Sequence, residues 1–194
     1  MTEPARALPR YSYAEYRSFE NSNPARHEFV DGQILAMAGG TPAHARLQAA
    51  LLYVLERQLE GQPCQAFPSD LRVRIVASGL ATYPDVSVIC GDIETAPEDP
   101  NAAVNPVLVI EVLSDITESW DRGEKFEHYR KIASLHGYVL VSHRERRVDL
   151  WWRDPQGPWH ERRVGSGETL DLPFVKATLV VDEIYDRSPL TRSL

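Results

Sequence analysis

Lysine is nearly missing from this 194-residue chain: of its 21 basic residues only Lys125, Lys131 and Lys176 are lysines, so the general basic surface is built from arginine. Cysteine is equally scarce. Cys64 and Cys90 show no metal-binding or redox spacing and no disulfide framework, which points to a reducing, cytoplasmic setting. No apolar run reaches the ~18 residues of a membrane span. The opening MTEPARALPR lacks the apolar stretch of a secretory signal. Positive charge is short as well: a net charge of −7 argues against a protein that coats nucleic acid, while leaving room for one local phosphate-contacting patch. Several chemical signatures are absent too, namely GxxxxGK[ST], GxGxxG after a strand, HExxH and GxSxG. The six histidines (His27, His44, His128, His136, His143, His160) have no zinc spacing. Phosphate-cradling loops, zinc hydrolases and serine nucleophiles therefore lose their support.

What remains is an ordinary globular composition, 43% hydrophobic and 25% charged, long enough for one domain over residues 1–194. SYAE (12–15) has the form of a capping box that opens a short helix, which Asn23-Pro24 ends. HEFVDGQILAM (27–37) reads as two short strands joined by Asp31-Gly32. Thr41 and Pro42 cap a helix over about 42–60, with leucines at 47, 51, 55 and 59 on one stripe. DLRVRIV (70–76) alternates as a half-exposed strand, with Arg72 and Arg74 on the outer face. Strands follow at 85–90 and 107–113, separated by an acidic, proline-bearing surface loop over 91–105. A helix over about 117–133, a strand at 137–142, the hairpin RVDLWW/WHERRV and a short helix near VDEIYD complete the chain. From residue 42 to 142 the order is helix, three strands in a meander, helix, strand: a mixed sheet of the α+β or α/β class.

Two carboxylates stand out because they interrupt buried strands. Asp85 opens YPDVSVI, and Glu111 lies inside PVLVIEVLS. A buried carboxylate needs a cation or a proton, since its isolated charge costs several kcal/mol. Glu111 paired with a core arginine, and Asp85 as a plain strand opener, are the bland readings of each. Taken together on adjacent strands, the two can share one hard cation such as Mg²⁺. Lys125 lies on the helix stripe that continues through Tyr129 and Ile132, the inward one; a stem reaching past the helix edge, or a pair with Asp121, would also explain it. Glu28 reads as a hairpin surface charge and His44 as a core histidine, unless the fold carries them to the Asp85–Glu111 end of the sheet.

The ordered set RHEFVDGQILAMAGGTPAH (26–44), YPDVSVI (83–89), PVLVIEVLSDIT (106–117), DRGEKFEHYRKI (121–132) and GYVLVSHRERRVDLWW (137–152) resembles the Uma2 family, within the PD-(D/E)XK nuclease superfamily. The likeness runs over roughly residues 10–185. It implies a restriction-endonuclease-like αβββαβ core over about 42–142, with an N-terminal helix–hairpin and a C-terminal hairpin added. It also implies a phosphodiesterase site using Mg²⁺ or Mn²⁺, held by Asp85, Glu111 and the Val112 carbonyl, with Glu28, His44 and Tyr129 at further polar positions of the pattern. The superfamily lysine two residues beyond the acid is replaced by Leu113, and the resemblance moves that role to Lys125 on the following helix, to orient or deprotonate the attacking water or to neutralise the developing phosphorane. The implied partner is nucleic acid, DNA before RNA. Residues 122–147, with seven Lys/Arg against three Glu, are the candidate backbone contact. The Trp151/Trp152/Trp159 hairpin is either core or a homodimer interface. Two other classes remain open: a nuclease-like fold that binds without cutting, and a hydrolase of small phosphorylated molecules.

Overall fold

The computed structural model describes residues 9–186 except 38 and 156, so residues 1–8 of the segment read above for an export signal lie outside the described residues. Helix α1 (Tyr13–Ser22) begins on the capping box: Ser12 Oγ accepts the Glu15 N–H, and the Glu15 carboxylate accepts the Ser12 N–H. β1 (His27–Val30) and β2 (Gln33–Ala36) meet at Asp31 and Gly32, both at positive φ, the backbone that a two-residue hairpin demands. Helix α2 (Pro42–Leu59) is capped by Thr41, which accepts the His44 N–H, and buries Leu47, Leu51, Val54, Leu55 and Leu59.

Seven strands then run to the next helix: β3 (Cys64–Pro68), β4 (Arg72–Ile75), β5 (Leu80–Thr82), β6 (Val86–Cys90), β7 (Thr95–Ala96), β8 (Asp99–Ala103) and β9 (Leu108–Val112). Short helices α3 (Glu118–Arg122) and α4 (Glu124–Tyr129) lead to β10 (Gly137–Val141), β11 (Arg147–Trp152) and β12 (His160–Gly165). A ribbon of β13 (Thr169–Leu172) and β14 (Ala177–Val180) precedes α5 (Val181–Tyr185).

These strands make two six-stranded mixed sheets, in the orders β12-β11-β10-β9-β6-β3 and β2-β1-β5-β4-β8-β7. The first holds the αβββαβ core: α2, the antiparallel meander β3-β6-β9, the α3/α4 crossover, then β10 parallel to β9. Its two faces are both covered, as the apolar residues on either side of Glu111 in β9 require. On one face α2 packs on Val86, Val88, Ile110 and Val112; on the other Phe126 and Tyr129 pack on Val109, Leu113, Tyr138 and Leu140.

Several expectations need correction. The meander's first strand is β3, whereas 70–76 supplies β4 of the second sheet. Arg72 and Arg74 are buried there, 5% and 8% exposed, because the expected loop 91–105 contains β7 and β8 and closes over them. Arg72 pairs with the fully buried Asp99 at 2.5 Å, donates to the Tyr83 hydroxyl and lies over the Tyr16 ring. Polar alternation marks a half-exposed strand only where nothing polar waits to receive the outer side chains; α1 and β8 supply that reception. The single helix over 117–133 is broken at Gly123, whose φ and ψ of −112° and −106° leave the helical region.

Cys64 and Cys90 are cross-strand partners in the β3–β6 register and form a disulfide, which overturns the disulfide-free reading and removes the cysteine argument for a reducing setting. The bond spans a sequence separation of 26. Restricting the unfolded chain over such a loop stabilises by about 3 kcal/mol. Dithiothreitol is therefore expected to lower the unfolding free energy by about that amount in urea titrations, and an unchanged urea midpoint would refute it.

Candidate active site

The carboxyl end of β9 and the amino end of β6 lie side by side, because these strands are antiparallel with Val86 opposite Ile110. That register brings Asp85 opposite Glu111 at the end of the sheet. The Asp85 N–H points at Glu111 Oε2, 3.3 Å away, and Asp85 Oδ2 accepts the Val112 N–H at 2.7 Å. Gln48, one turn past His44 on α2, donates to the Asp85 carbonyl at 2.9 Å. His44 Nε2 lies 3.1 Å from Asp85 Oδ2, and the ring also hydrogen-bonds to the Val112 backbone. The hydrogen bond to Asp85, against the opposing effect of burial, raises the His44 pKa and favours the imidazolium. The Asp85 carboxylate and the Val112 backbone thus converge on one point.

Lys125 enters from α4. Its Nζ lies 2.9 Å from Glu111 Oε1, 3.3 Å from Glu28 Oε1 and 3.3 Å from Asp121 Oδ1. Tyr129, one turn on, donates its hydroxyl to Glu111 Oε1 at 2.9 Å. Glu28 is fixed by a short hydrogen bond from the Thr82 hydroxyl of β5. The fold thus gathers Glu28, His44, Asp85, Glu111, Val112, Lys125 and Tyr129 from both sheets and two helices. Neither bland reading holds for Glu111 or Glu28: Glu111 pairs with a lysine, not an arginine, and Glu28 faces the cluster.

Charge is unbalanced in this cluster. Glu28, Asp85, Glu111 and Asp121 meet one ammonium and one imidazole. Glu111 is 3% exposed; burial first, then the Asp121 and Asp85 charges, outweigh Lys125 and push its pKa up to about 8. Burial pulls the Lys125 pKa down, but Glu111, Glu28 and Asp121 overcome it and raise it well above normal. Asp121 Oδ1 is buried without a hydrogen bond even though Nζ is near.

Among the described residues there is no ready cage of three His, Cys, Asp or Glu ligands. Mg²⁺ asks for less, being typically held by one or two carboxylates with water and phosphate oxygens completing its shell. Hard oxygens from Asp85, Glu111 and Val112 and the excess negative charge fit such an ion.

Asp121, Thr82 and Gln48 escaped sequence reading as site residues. For Asp121 a signal existed, its position four residues before Lys125. Thr82 and Gln48 carry none, since each acts through a contact far away in sequence. The candidate backbone contact over 122–147 is largely neutralised within the protein. Arg122 binds Glu118 and Asp149, Arg130 binds Glu127, Arg144 binds Asp115, Arg146 binds Asp182, and Arg147 binds Glu145. Of the three tryptophans, Trp151 and Trp159 pack on Phe126, and the Trp152 ring lies tilted against His160.

Comparison with known proteins agrees with this architecture. The family model described as "Uma2: Putative restriction endonuclease" matches residues 13–182. Two Synechocystis proteins, slr1290 and sll1609, both described as uncharacterized, are 35% and 30% identical over 94% and 84% of this chain, covering 95% and 93% of their own lengths. The crystal structure of an Anabaena variabilis protein described as a putative nuclease belonging to DUF820 superposes with a TM-score of 0.71. That match covers 89% of this chain and 97% of the other, at 17% identity, a likeness of fold.

Proposed function

The chain belongs to the Uma2 family, a nuclease family with a restriction-endonuclease-like fold, and from that premise we propose that it is a Mg²⁺- or Mn²⁺-dependent endonuclease acting on DNA. The observation that carries the reading is the meeting of Asp85, Glu111 and Lys125 at one end of the central sheet, with more negative charge than the side chains there neutralise. Asp85, Glu111 and the Val112 carbonyl would hold the ion, which supplies Lewis acidity toward the scissile phosphate and lowers the pKa of a bound water. Lys125 would orient or deprotonate the attacking water, or neutralise charge that develops on the phosphorus oxygens. Asp121 and Glu28 hold the ammonium in place. Tyr129 and Lys125 together fix one oxygen of Glu111 and leave the other turned toward Asp85. His44 and Gln48 set the position of Asp85 from α2.

The test is cleavage of supercoiled plasmid with Mg²⁺ or Mn²⁺. Nicking is expected with either ion, none in EDTA, and none by Asp85→Asn with the metal restored. Nicking by Asp85→Asn at the parent rate overturns the assignment. The neutralised arginines around 122–147 favour one alternative, a member of the fold that binds a partner and cuts nothing. Calorimetry separates the two, since a vacated centre takes up no heat-detectable Mg²⁺ or Mn²⁺.

A further inference from the structure

The two six-stranded sheets end in β2, β7, β12 and β3. Proteins guard such edges with charge, proline, bulges or a covering group, because unpaired N–H and C=O groups recruit further strands. Three of the four are guarded in this way. β7 is two residues long and its register is irregular. β12 displays Glu161, Arg162 and Arg163, and its Gly165 N–H donates to the Glu168 carboxylate. β3 ends in Pro68, and the Glu56 carboxylate of α2 accepts the Ala66 N–H at 2.8 Å. β2, with the sequence Gln-Ile-Leu-Ala, carries neither charge nor proline.

The hairpin fixes which groups of β2 face outward. Asp31 and Gly32 form its two-residue turn, Val30 stands opposite Gln33, and the Met37 N–H donates to the Arg26 carbonyl at 3.0 Å. Hydrogen-bonded and non-bonded positions alternate along an antiparallel pair. Gln33, Leu35 and Met37 therefore bond to β1, while the N–H and C=O groups of Ile34 and Ala36 point away from the sheet. Among the described residues nothing bonds to those outward groups. The side chains around them are apolar. Leu35 is 47% exposed, and Phe19 and Tyr11, also exposed, lie by His27 and Gly32 of the same hairpin.

This edge is complementary to itself. Two copies set antiparallel with Leu35 on the two-fold axis place Ile34 of each opposite Ala36 of the other. Each such pair exchanges two N–H···O=C bonds, so every outward group of both strands is satisfied. Leu35 of one copy then meets Leu35 of the other at a non-bonded position, with Cα atoms about 4.5 Å apart and both side chains on one face. No charged residue of β2 faces its own counterpart across the axis. A second copy is thus the occupant that brings a matching apolar strand in register by symmetry alone, and the pairing uses up the edge at two copies. Leu35 lies opposite Glu28 in the hairpin, so the axis runs beside the candidate site. Three strand spacings, about 14 Å, separate the two Glu28 Cα atoms.

We infer that β2 is a homodimer interface, at which two copies of this chain pair edge to edge about Leu35. The inference stands on the strand edge and does not depend on the nuclease reading. One strand and its flanking side chains bury little area, so the dimer is reversible. Sedimentation velocity on the full-length protein over about 1–100 µM is expected to show the mass rise from one chain to two. Ala36→Pro removes an outward donor and leaves the bonds to β1 in place, and Leu35→Lys sets like charges on the axis. Each is expected to weaken dimerisation at least about tenfold, with the thermal midpoint of the dilute protein close to the parent's. Leu35→Cys tests the register. Oxidised glutathione is expected to join two copies through it, since the Cα spacing is within disulfide reach, and to leave Gln33→Cys, two residues off the axis, as single chains. Cys64 and Cys90 are bonded to each other and offer no competing thiol. A parent that stays monomeric at the top of the concentration range overturns the inference. So does a dimer that either Ala36→Pro or Leu35→Lys leaves as tight as the parent, or one that Leu35→Cys fails to cross-link. A monomer whose Ile34 and Ala36 amides exchange slowly with solvent means that the edge is covered within one chain, and that result overturns it as well.

Discussion

Lys125→Met is expected to abolish cleavage and to destabilise the fold at once. Lys125 is 5% exposed and its ammonium is the common partner of Glu28, Glu111 and Asp121, which come from β1, β9 and α3. Methionine keeps the length of the stem and removes the charge, leaving the Glu28 and Asp121 carboxylates without their cation. Breaking a buried pair in this way costs about 3–5 kcal/mol. In a domain of 194 residues that lowers the melting temperature by about 10 °C. Loss of a preorganised charge aimed at the reacting phosphate costs a further factor of about 10²–10³ in rate. Differential scanning calorimetry in EDTA reads the first effect, and plasmid nicking in Mg²⁺ at a temperature where the variant is folded reads the second. Lys125→Arg separates them: the charge returns, so stability recovers in part, but a planar fork does not reproduce three contacts to a point charge, and cleavage stays low. A methionine variant as stable as its parent would mean that the carboxylates find protons or water as readily as the ammonium, and the charge account of the cluster would fall.

The same geometry explains which parts of the molecule could be read from the chain. Local signals survived folding: Ser12 with Glu15, Asp31-Gly32, Thr41-Pro42 and the leucine stripe of α2 all act within a few residues, and each stands where the sequence places it. The Asp85–Glu111 pairing was legible because a carboxylate inside an apolar strand is costly enough to demand a cause. Lys125 was legible for the same reason on a helix stripe. Long-range effects were not. Nothing near Arg72 announces Asp99, 27 residues on, yet that pair turns an expected outer face into a core. Placing 70–76 in the meander followed from its strength as a strand pattern. CQAFP, which is in fact the meander's first strand, pairs through its register with β6 more than through any alternation of its own. The break at Gly123 was hidden because an inward stripe from Lys125 to Ile132 reads the same on one helix as on the second of two. It matters to the site, since Asp121 and Lys125 face each other across that break.

Glu111→Gln is expected to silence cleavage while leaving the metal-free protein as stable as the parent, or more so. Burial, with Asp121 and Asp85 nearby, moves the Glu111 pKa from 4.5 up to about 8. Between those values the folded protein holds a proton that the unfolded chain releases. Stability from this group is therefore complete below about pH 4.5 and is lost as pH climbs through about 8, on the order of a few kcal/mol across the interval. Glutamine has the shape of the protonated acid and no charge to develop, so in EDTA the variant should lack this downward slope, and its advantage over the parent should widen toward alkaline pH. Tyr129 and Lys125 can still donate to the amide oxygen, which keeps the packing of α4 on β9. Urea unfolding in EDTA at pH 5, 7 and 9 tests this, and a variant that falls below its parent at the upper end would show that Glu111 is held as an ion by Lys125 instead. In Mg²⁺ the order reverses. A neutral amide is a poor ligand for a hard divalent ion, so added Mg²⁺ should raise the parent's melting temperature and leave the variant's unchanged, and cleavage should fall by at least about 10³. A residue kept only for folding would show its cost in the first experiment and nothing in the second. Glu111 is expected to do the opposite, because a carboxylate that the fold would be better off without has to be retained for what it binds.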